Sequence, residues 1–322
     1  MSRTRGCGVA IAIACCALGA AGNANAQAWP AKAVRVIVPF GPGGGTDIQG
    51  RLLSKKFYES MGQTFVIENR SGAGGMIGAE IVARAPPDGY TLLFTTASLS
   101  VNVSLYRKAA FDALKDLVPV SWISSVPLVL VVHPSVPARS IKELVAIAKG
   151  GKMNAASNGS GTTSHLSIEM LRQMAGAQAV HVPYKGGGPA MTALLSGEVD
   201  FVFSTALTAK PFIEQKKVRA LAVTTAKRSG AFPGLPTMAS VYPGFESDNW
   251  YAMFFPAGTA RDTVGRMNAE IVKALKAPDI RDYIVKEGGD PVGSTPDELA
   301  AYFRREVEKY AKVIKAGNIQ AE

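Results

Sequence analysis

Apolar runs and amphipathic stretches alternate along this chain, and the alternation predicts strands and helices in turn. Short apolar runs predict strands at residues 34–38, 65–68 and 91–95. Between them, Thr46 or Asp47 can cap a helix that continues through Phe57, and a second helix is predicted over residues 76–85. Strands joined in this way by helices pair in parallel, so the order predicts a parallel sheet with helices on its faces.

The same alternation returns after a long apolar segment at residues 126–133. A capping box that begins at Ser140 opens the next helix. Further strands and helices are predicted at residues 153–156, 163–174, 179–182, 189–195, 199–203 and 218–223. A strand at residues 250–255 then precedes three helices, and the last of these begins behind a capping box at Thr295. Because the chain is longer than one average domain, two α/β lobes are the economical interpretation.

The first residues have the pattern of an export signal. Arg3 and Arg5 precede an apolar, alanine-rich run at residues 9–21, and small residues follow up to Ala26. We therefore predict signal-peptide cleavage after Ala26, since the run is too short for a membrane span. All three cysteines lie in this leader, at positions 7, 15 and 16. The mature chain would then have no disulfide, thiolate nucleophile or cysteine-bound metal, although a weak lipobox leaves a lipid anchor as an alternative.

The charge of the chain is positive but scattered. The formal net charge is +10, and it falls by two when Arg3 and Arg5 are removed with the leader. The basic residues occur at most in pairs such as Lys55 and Lys56, without interleaved aromatic residues, so a nucleic-acid surface is not expected. A positive field of this kind can attract small acidic solutes, although salt screens it beyond roughly 8 Å.

A glycine-rich turn at residues 41–47 joins the first predicted strand to the first predicted helix. Its glycines leave main-chain N–H groups uncovered at the positive end of a helix, an arrangement that suits a carboxylate or a phosphate. Thr46 stands where a dinucleotide fingerprint requires glycine, and no Gly-Lys-Ser/Thr sequence provides a P-loop. A turn that only reverses the chain remains the alternative.

Four turns are expected at the carboxyl ends of strands, where ligands bind in parallel sheets. They are residues 41–47, 95–102, 157–165 and 184–189. The third combines glycines and hydroxyl groups ahead of a helix, so two helix starts would face one another across a cleft. Helix ends supply about 0.3–1 kcal/mol each, up to ~2, whereas micromolar binding needs about 8 kcal/mol. Hydroxyl donors are therefore expected as well, although each can equally be a helix cap or turn former.

An exported hydrolase is the competing class, and the sequence meets its requirements poorly. Residues 155–159 lack the first glycine of a nucleophile elbow. The only histidines are His133, His165 and His181, and two of them alternate within apolar strands. No set of His, Asp and Glu has zinc spacing. We therefore expect no enzymatic activity, no metal and no cofactor.

Several motifs in order resemble one family. They are residues 39–47, 69–75, 88–92, 157–162 with His165, 182–186 and 219–224. Together they resemble the Bug family of periplasmic solute receptors, which serve tripartite tricarboxylate transporters. The resemblance implies a two-lobed type II periplasmic-binding-protein fold, α/β in class, each lobe a mostly parallel sheet flanked by helices and the two joined by two crossing segments. Lobe 1 would contain residues 27–127 and 251–322, and lobe 2 residues 128–250.

The same resemblance implies a monomeric periplasmic receptor that closes over a small organic acid and delivers it to integral membrane transporter subunits. A receptor that presents the acid to a signalling partner is the alternative. The first lobe would bind the ligand through Phe40, Gly43, Gly44, Thr46, Asp47, Thr96 and Ser98. The second would do so through Ser157, Gly159, Thr162, Ser164, His165, Lys185 and Ser204.

Three of these residues have a narrower expected role. Asp47 should cap a helix or hold a water, His165 should pack or orient more than contact the ligand, and Lys185 either neutralises a second carboxylate or is simply exposed. Many members of the family have an aspartate where this chain has Ser204 and Thr205. An acid there could pair with an ammonium group, so a non-amino mono- or dicarboxylate is our hypothesis.

Overall fold

The computed structural model describes residues 29–106, 110–184, 186–286 and 288–320. The predicted signal peptide and the candidate ligand residue Lys185 lie outside these ranges. Within them the chain forms two sheets, each with helices on both faces and its own apolar core.

The first sheet has six strands in the order β11-β4-β10-β3-β1-β2. They are β1 (Val34–Val38), β2 (Phe65–Asn69), β3 (Thr91–Thr96), β4 (Leu117–Val126), β10 (Asn249–Pro256) and β11 (Asp290–Pro291). The second sheet has five strands in the order β7-β6-β8-β5-β9. They are β5 (Leu128–Val132), β6 (Met153–Ser157), β7 (Ala179–Pro183), β8 (Phe201–Thr205) and β9 (Arg219–Val223).

Eleven α-helices cover the two sheets in the described part of the chain. The first six are α1 (Gly45–Met61), α2 (Met76–Ala83), α3 (Ser98–Leu105), α4 (Ala113–Asp116), α5 (Ile141–Gly150) and α6 (Thr163–Ala175). The others are α7 (Gly187–Ser196), α8 (Ala206–Glu214), α9 (Arg261–Leu275), α10 (Pro278–Lys286) and α11 (Pro296–Gly317). Short 3₁₀ turns occupy Ala73–Gly75 and Met238–Ser240. None of the described helices is both long and apolar enough to cross a bilayer.

The prediction that each sheet is mostly parallel is wrong, because both sheets are mixed. Strand β1 pairs in parallel with β2 and β3, but β10 is antiparallel to β3 and β4. In the second sheet β6 pairs in parallel with β7 and β8, whereas β5 is antiparallel to β8 and β9. The reason is the path of the chain: β4 leaves the first sheet for the second and β10 returns from it, so these neighbouring strands run in opposite directions.

The apolar segment 126–133 is not one element. Strand β4 ends at Val126 and β5 begins at Leu128, so the segment belongs to two sheets, with Pro127 between them. Proline has no N–H to donate to a ladder, which makes it suitable at the point where one sheet stops and another starts. The alternation of apolar residues alone contains no signal for this division.

Two crossing segments join the lobes side by side. Val126 pairs with Asn249, and Ser125 Oγ donates a hydrogen bond to Asp248 Oδ2 at 3.0 Å. Burial raises the pKa of Asp248 to about 7. Helix α11 lies behind this crossing and packs against α3 and β4 of the first lobe and α6 of the second.

Candidate functional site

A cavity of about 370 Å³ lies between the two lobes. The first lobe and its returning strand contribute Phe40, Gly43, Gly44, Gly45, Thr46, Thr96, Ser98, Asn249 and Tyr251 to its wall. The second lobe contributes Leu128, Asn158, Thr162, Thr163, Gly186, Gly187, Gly188, Thr205 and Thr208. All four turns that the sequence singled out therefore reach one cavity, as expected for turns at the carboxyl ends of strands.

Helix α1 opens onto this cavity without a side-chain cap. Its N-cap is Gly44, which has extended backbone (φ −81°, ψ 167°), and no side chain accepts a hydrogen bond from the first turn. The prediction that Thr46 or Asp47 caps the helix is therefore wrong, since both lie inside its first turn. The first N–H groups of a helix have no partner within it, so those of Gly45 and Thr46 are open to a ligand.

Asp47 holds the glycine turn in shape from behind. Its carboxylate accepts hydrogen bonds from the Gly43 N–H at 3.0 Å and the Asn69 side chain at 3.1 Å, and it pairs with Arg51 at 2.9 Å. Burial opposes ionisation, but the bonds from Arg51, Gly43 and Asn69 outweigh it and hold the pKa of Asp47 below its ordinary value. Asp47 does not line the cavity, so its ionised carboxylate shapes the loop at a distance from the space that a ligand would fill.

A second glycine cluster, at residues 72–75, supports the same wall of the cavity. The Asn102 side-chain amide donates a hydrogen bond to the Gly74 carbonyl at 2.7 Å, and Asn102 is fully buried between this turn and the second lobe. Gly75 packs so closely on Phe40 that an added Cβ would lie 3.3 Å from its ring. With φ values of +60° and +101°, both positions favour glycine. The cluster thus fixes Phe40 in the cavity wall.

The loop of the second lobe has a different construction from the first. Thr162 is the N-cap of α6: its hydroxyl accepts from the His165 N–H and donates to the Gly159 carbonyl at 2.7 Å. The Gly159 N–H donates to Ser157 Oγ at 3.1 Å, and the Gly161 N–H donates to His165 Nδ1 at 3.3 Å. The predicted pair of open helix starts is therefore incorrect for α6, because the loop uses its own donors.

The open helix start of the second lobe belongs to α7 instead. Its N-cap is Gly186, without a side-chain cap, and Gly186, Gly187 and Gly188 all line the cavity. The Gly186 N–H donates to the Asn158 carbonyl at 3.1 Å, which ties this start to the neighbouring loop. Two uncapped helix starts, α1 and α7, thus meet at one cavity.

The remaining predicted residues fall into two groups. Thr96 and Ser98 line the cavity, and the Ser98 N–H donates to Thr96 Oγ1 at 3.3 Å. Ser164 donates to the Phe203 carbonyl at 2.7 Å, and Ser204 is 1 % exposed; both lie outside the lining. Ser157, Gly159 and His165 also lie behind the wall.

Sequence reasoning missed the contribution of the crossing strands. Asn249 and Tyr251 of β10 and Leu128 of β5 form the floor of the cavity, where the two lobes meet. Thr205 and Thr208 add hydroxyl groups 3.0 Å apart. The polar Asn249 at the head of an otherwise apolar strand was the one available signal.

The described lining combines polar and apolar residues and is uncharged. No Asp, Glu, Lys or Arg is among the described residues of the wall. The described part of the chain also contains no group of three or more His, Cys, Asp or Glu side chains that could hold a metal ion. The hydrogen-bond donors that this part of the wall offers are therefore N–H and hydroxyl groups.

Comparison with known proteins identifies the family. The protein-family model for the tripartite tricarboxylate transporter family receptor matches residues 50–319 of this chain. The chain belongs to this family. It is similar to three solved structures of such receptors and related binding proteins, and each is covered nearly end to end.

The first is Rpa4515 of R. palustris with adipate, at 34% identity and a TM-score of 0.84, covering 91% of this chain and 99% of the other. The second is the periplasmic binding protein BugD, at 33% identity and a TM-score of 0.82, covering 91% and 100%. The third is MatC from Rhodopseudomonas palustris with bound malate, at 31% identity and a TM-score of 0.79, covering 89% and 100%. These likenesses confirm the Bug-type resemblance and the two-lobed periplasmic-binding-protein fold of this receptor.

Proposed function

We propose that this receptor captures a small non-amino organic acid in the cavity between its lobes and releases it without chemical change. The observation that carries the proposal is the meeting of two uncapped helix starts, α1 and α7, at one cavity whose described lining is uncharged. Each start presents N–H groups and the positive end of a helix dipole to the same space. A carboxylate satisfies both at once.

The available donors suffice for useful affinity. Helix dipoles alone supply at most ~2 kcal/mol each, whereas charge-assisted hydrogen bonds add about 1.5–3 kcal/mol each. Thr46 on α1 and the Thr205–Thr208 pair of the second lobe bring hydroxyl groups to the same cavity wall. Three or four such bonds reach the roughly 8 kcal/mol of micromolar binding when closure excludes water.

The lining also favours one class of acid. An amino acid carries an ammonium group, and a buried ammonium requires a carboxylate or several acceptors. No described lining residue is acidic, and Ser204 and Thr205 occupy the positions where an acid was expected for such ligands. The similar structures of Rpa4515 with adipate and of MatC with bound malate contain non-amino dicarboxylates. We therefore assign a mono- or dicarboxylate as the ligand.

The setting follows from the leader and the family. We propose that the chain is exported to the periplasm, cleaved after Ala26, and acts as a monomer that delivers its ligand to integral membrane subunits of a tripartite tricarboxylate-type transporter. Lobe 1 would comprise residues 27–127 and 251–322, and lobe 2 residues 128–250. Loss of acid uptake on deletion of the receptor gene would support delivery, and unaffected uptake would favour a sensing role.

Thermal-shift screening of organic acids tests the binding function directly. A ligand at 100 times its dissociation constant adds about 2.7 kcal/mol of stability, which is readily detected. We expect at least one mono- or dicarboxylate to raise the melting temperature, with aspartate and glutamate inactive. Tight binding of the amino acids alone would contradict the proposed class, and no response to any acid would contradict the function.

A further inference from the structure

Two stacked histidines lie behind the binding loop of the second lobe. The rings of His165 and His181 are 3.9 Å apart between centroids and inclined by only 7°. Neither ring lines the cavity. His165 is on α6 and His181 is on the edge strand β7, so the stack joins a helix to the sheet directly beneath the loop.

Each ring holds one part of the loop. His181 Nε2 lies 2.6 Å from Ser157 Oγ, and this same oxygen accepts the Gly159 N–H at 3.1 Å. His165 Nδ1 accepts the Gly161 N–H at 3.3 Å. Both glycines have positive φ, +130° and +74°, so the loop makes two left-handed turns whose N–H groups end on the histidine pair or its serine partner.

The protonation state of His165 suits this task. An Nδ1 atom that accepts a hydrogen bond must be unprotonated. Burial, together with the neighbouring His181 and Arg172, lowers the pKa of His165 to about 3, so the ring is neutral near pH 7. A neutral ring keeps its acceptor atom on Gly161 throughout the ordinary pH range.

The held loop carries the cavity wall. Asn158, Thr162 and Thr163, which flank the two anchored glycines, line the cavity. The Asn158 carbonyl also accepts the N–H of Gly186, the N-cap of α7. The position of the open helix start in this lobe therefore depends on the same loop.

We propose that His181 and His165 are positioning residues for ligand binding: His181 acts through Ser157 on Gly159, His165 acts directly on Gly161, and together they preset the loop before any acid arrives. The proposal rests on the proposed function of the cavity. Neither histidine touches the ligand. Their contribution is to remove the ordering cost that a mobile loop would pay on binding.

The first arm of the test needs no ligand. We would label the glycines with ¹⁵N and measure amide hydrogen exchange in the free protein, comparing the unmodified chain with His181→Phe and Ser157→Ala. Phenylalanine keeps a ring to stack on His165 but has no atom to bond Ser157. Both variants should exchange the Gly159 amide at least tenfold faster, and unchanged exchange would overturn the proposal.

The chain offers a matched control. His133 Nδ1 lies 2.7 Å from Ser135 Oγ, a histidine–serine hydrogen bond of the same kind, and neither residue lines the cavity. His133→Phe and Ser135→Ala should leave Gly159 exchange and acid affinity unchanged. An effect as large as that of His181→Phe would show that histidine loss acts through general stability, against the proposal.

The second arm measures dissociation constants by calorimetry with adipate and malate as probes. His181→Phe and Ser157→Ala should each weaken binding about tenfold, equivalent to roughly 1.4 kcal/mol. The double variant should be no weaker than the single ones, since both remove one connection, and His181→Gln, which retains a side-chain amide, should recover most of the affinity. If the losses of affinity multiply in the double variant, or if His181→Gln does not recover affinity, His181 does not act through Ser157.

The two arms separate the proposals. If neither adipate nor malate binds the unmodified protein, calorimetry uses an acid that the thermal-shift screen identifies. A screen in which no acid responds contradicts the proposed function, and the exchange of Gly159 still decides whether the histidines hold the loop. If His181→Phe fails to fold, Ser157→Ala and His181→Gln carry the test, with melting of the free protein as the check on folding.

Discussion

The two glycine loops that face the cavity look alike in sequence and are built in opposite ways. The first, residues 41–47, leaves the start of α1 uncapped and is held from behind by the ionised Asp47. The second, residues 157–163, closes the start of α6 with Thr162 and is held by the neutral His165 and by His181. Both deliver polar groups to one cavity, but only the first leaves its own helix start open.

The difference shows where the open main-chain N–H groups of the second lobe lie. Because Thr162, Ser157 and His165 use the donors of their loop, the open amides in that lobe belong to the neighbouring α7. The loop at residues 157–163 therefore acts as a rigid support with hydroxyl groups. A carboxylate held behind the first loop also explains how an acid can stand near an anion site: Asp47 is neutralised by Arg51 and lies outside the lining.

The largest expected effect comes from removing the ionised anchor. Asp47→Ala leaves the Gly43 N–H, Asn69 and Arg51 without their shared acceptor. Charge-assisted bonds of this kind contribute about 1.5–3 kcal/mol each, and Arg51 is half exposed, so we expect a loss of about 3 kcal/mol in the free energy of unfolding by urea.

A matched control for that variant is Asp88→Ala, because Asp88 accepts the Tyr90 N–H at 3.0 Å in an exposed turn. It should cost about 1 kcal/mol or less. Equal losses in the two variants would mean that Asp47 is an ordinary turn residue and that the comparison between the loops is mistaken.

The stability that His165 contributes should change with pH in mild acid, where the stability that Asp47 contributes does not change. The pKa of His165 is lowered to about 3 from an ordinary 6.5, so the unfolded chain binds a proton in this window and the folded chain does not. Stability is therefore lost as pH falls below 6.5, by about 2 kcal/mol at pH 5. The pKa of Asp47 lies below its ordinary 3.8, so its contribution is lost only in stronger acid.

Urea unfolding at pH 7 and pH 5 checks this prediction, with His165→Gln as the reference. Asp248 has the opposite sign, since its raised pKa makes the folded chain gain stability as pH falls from about 7 towards 3.8. Asp248 is present in both the unmodified protein and the His165→Gln variant, so its contribution cancels when their free energies of unfolding are compared. A His165→Gln variant with the same pH dependence as the unmodified protein would refute the neutral-anchor interpretation.

Removing the cap of the second loop should have a moderate effect. Thr162→Ala loses the acceptor for the His165 N–H and the donor to Gly159, and we expect about 1 kcal/mol of lost stability and weaker acid binding. As a control, Thr295→Ala removes the cap of α11, because Thr295 Oγ1 accepts a hydrogen bond from the Glu298 N–H. This variant should lose a similar amount of stability with no change in acid affinity. Loss of affinity in both variants would make the effect of Thr162 one of stability alone.

The smallest expected effect is that of Gly44→Ser, which should raise the stability of the protein and lower its affinity for acids. Gly44 has extended backbone, and an added Cβ would meet only the Gly41 carbonyl at 3.7 Å. Gly44→Ser supplies the missing cap of α1, so it should add a few tenths of a kcal/mol of stability. The new hydroxyl would accept hydrogen bonds from the main-chain N–H groups that we expect to bind the ligand. Calorimetry should therefore show acid binding weakened several-fold.

Gly44→Ala is the matching steric control for that experiment, because it adds the Cβ without an acceptor. It should change affinity less than the serine variant. If Gly44→Ser binds acids as tightly as the unmodified protein, the open start of α1 does not contact the ligand.

Local pattern determined much of this protein. Most strands, the main helices and the side-chain caps at Ser140 and Thr295 follow from local pattern, because short apolar runs mark strands and a helix returns to one face every third or fourth residue, whereas β4 was not predicted. The capping box at Thr295 forms as its sequence predicts. Glycine placement likewise marked three of the four turns that the sequence singled out at the cavity, and small hydroxyl residues marked the fourth, residues 95–102.

Tertiary structure decided the rest. Whether 126–133 is one strand or two depends on which sheet each half joins, and the antiparallel pairing of β4 with β10 depends on the return of a segment more than a hundred residues away. Likewise, Ser157 has the composition of a ligand contact but is fully buried against His181, a residue on another strand. The choice between binding a ligand and holding a neighbour is made by long-range packing, and a local sequence pattern does not encode which side of a turn faces the cavity.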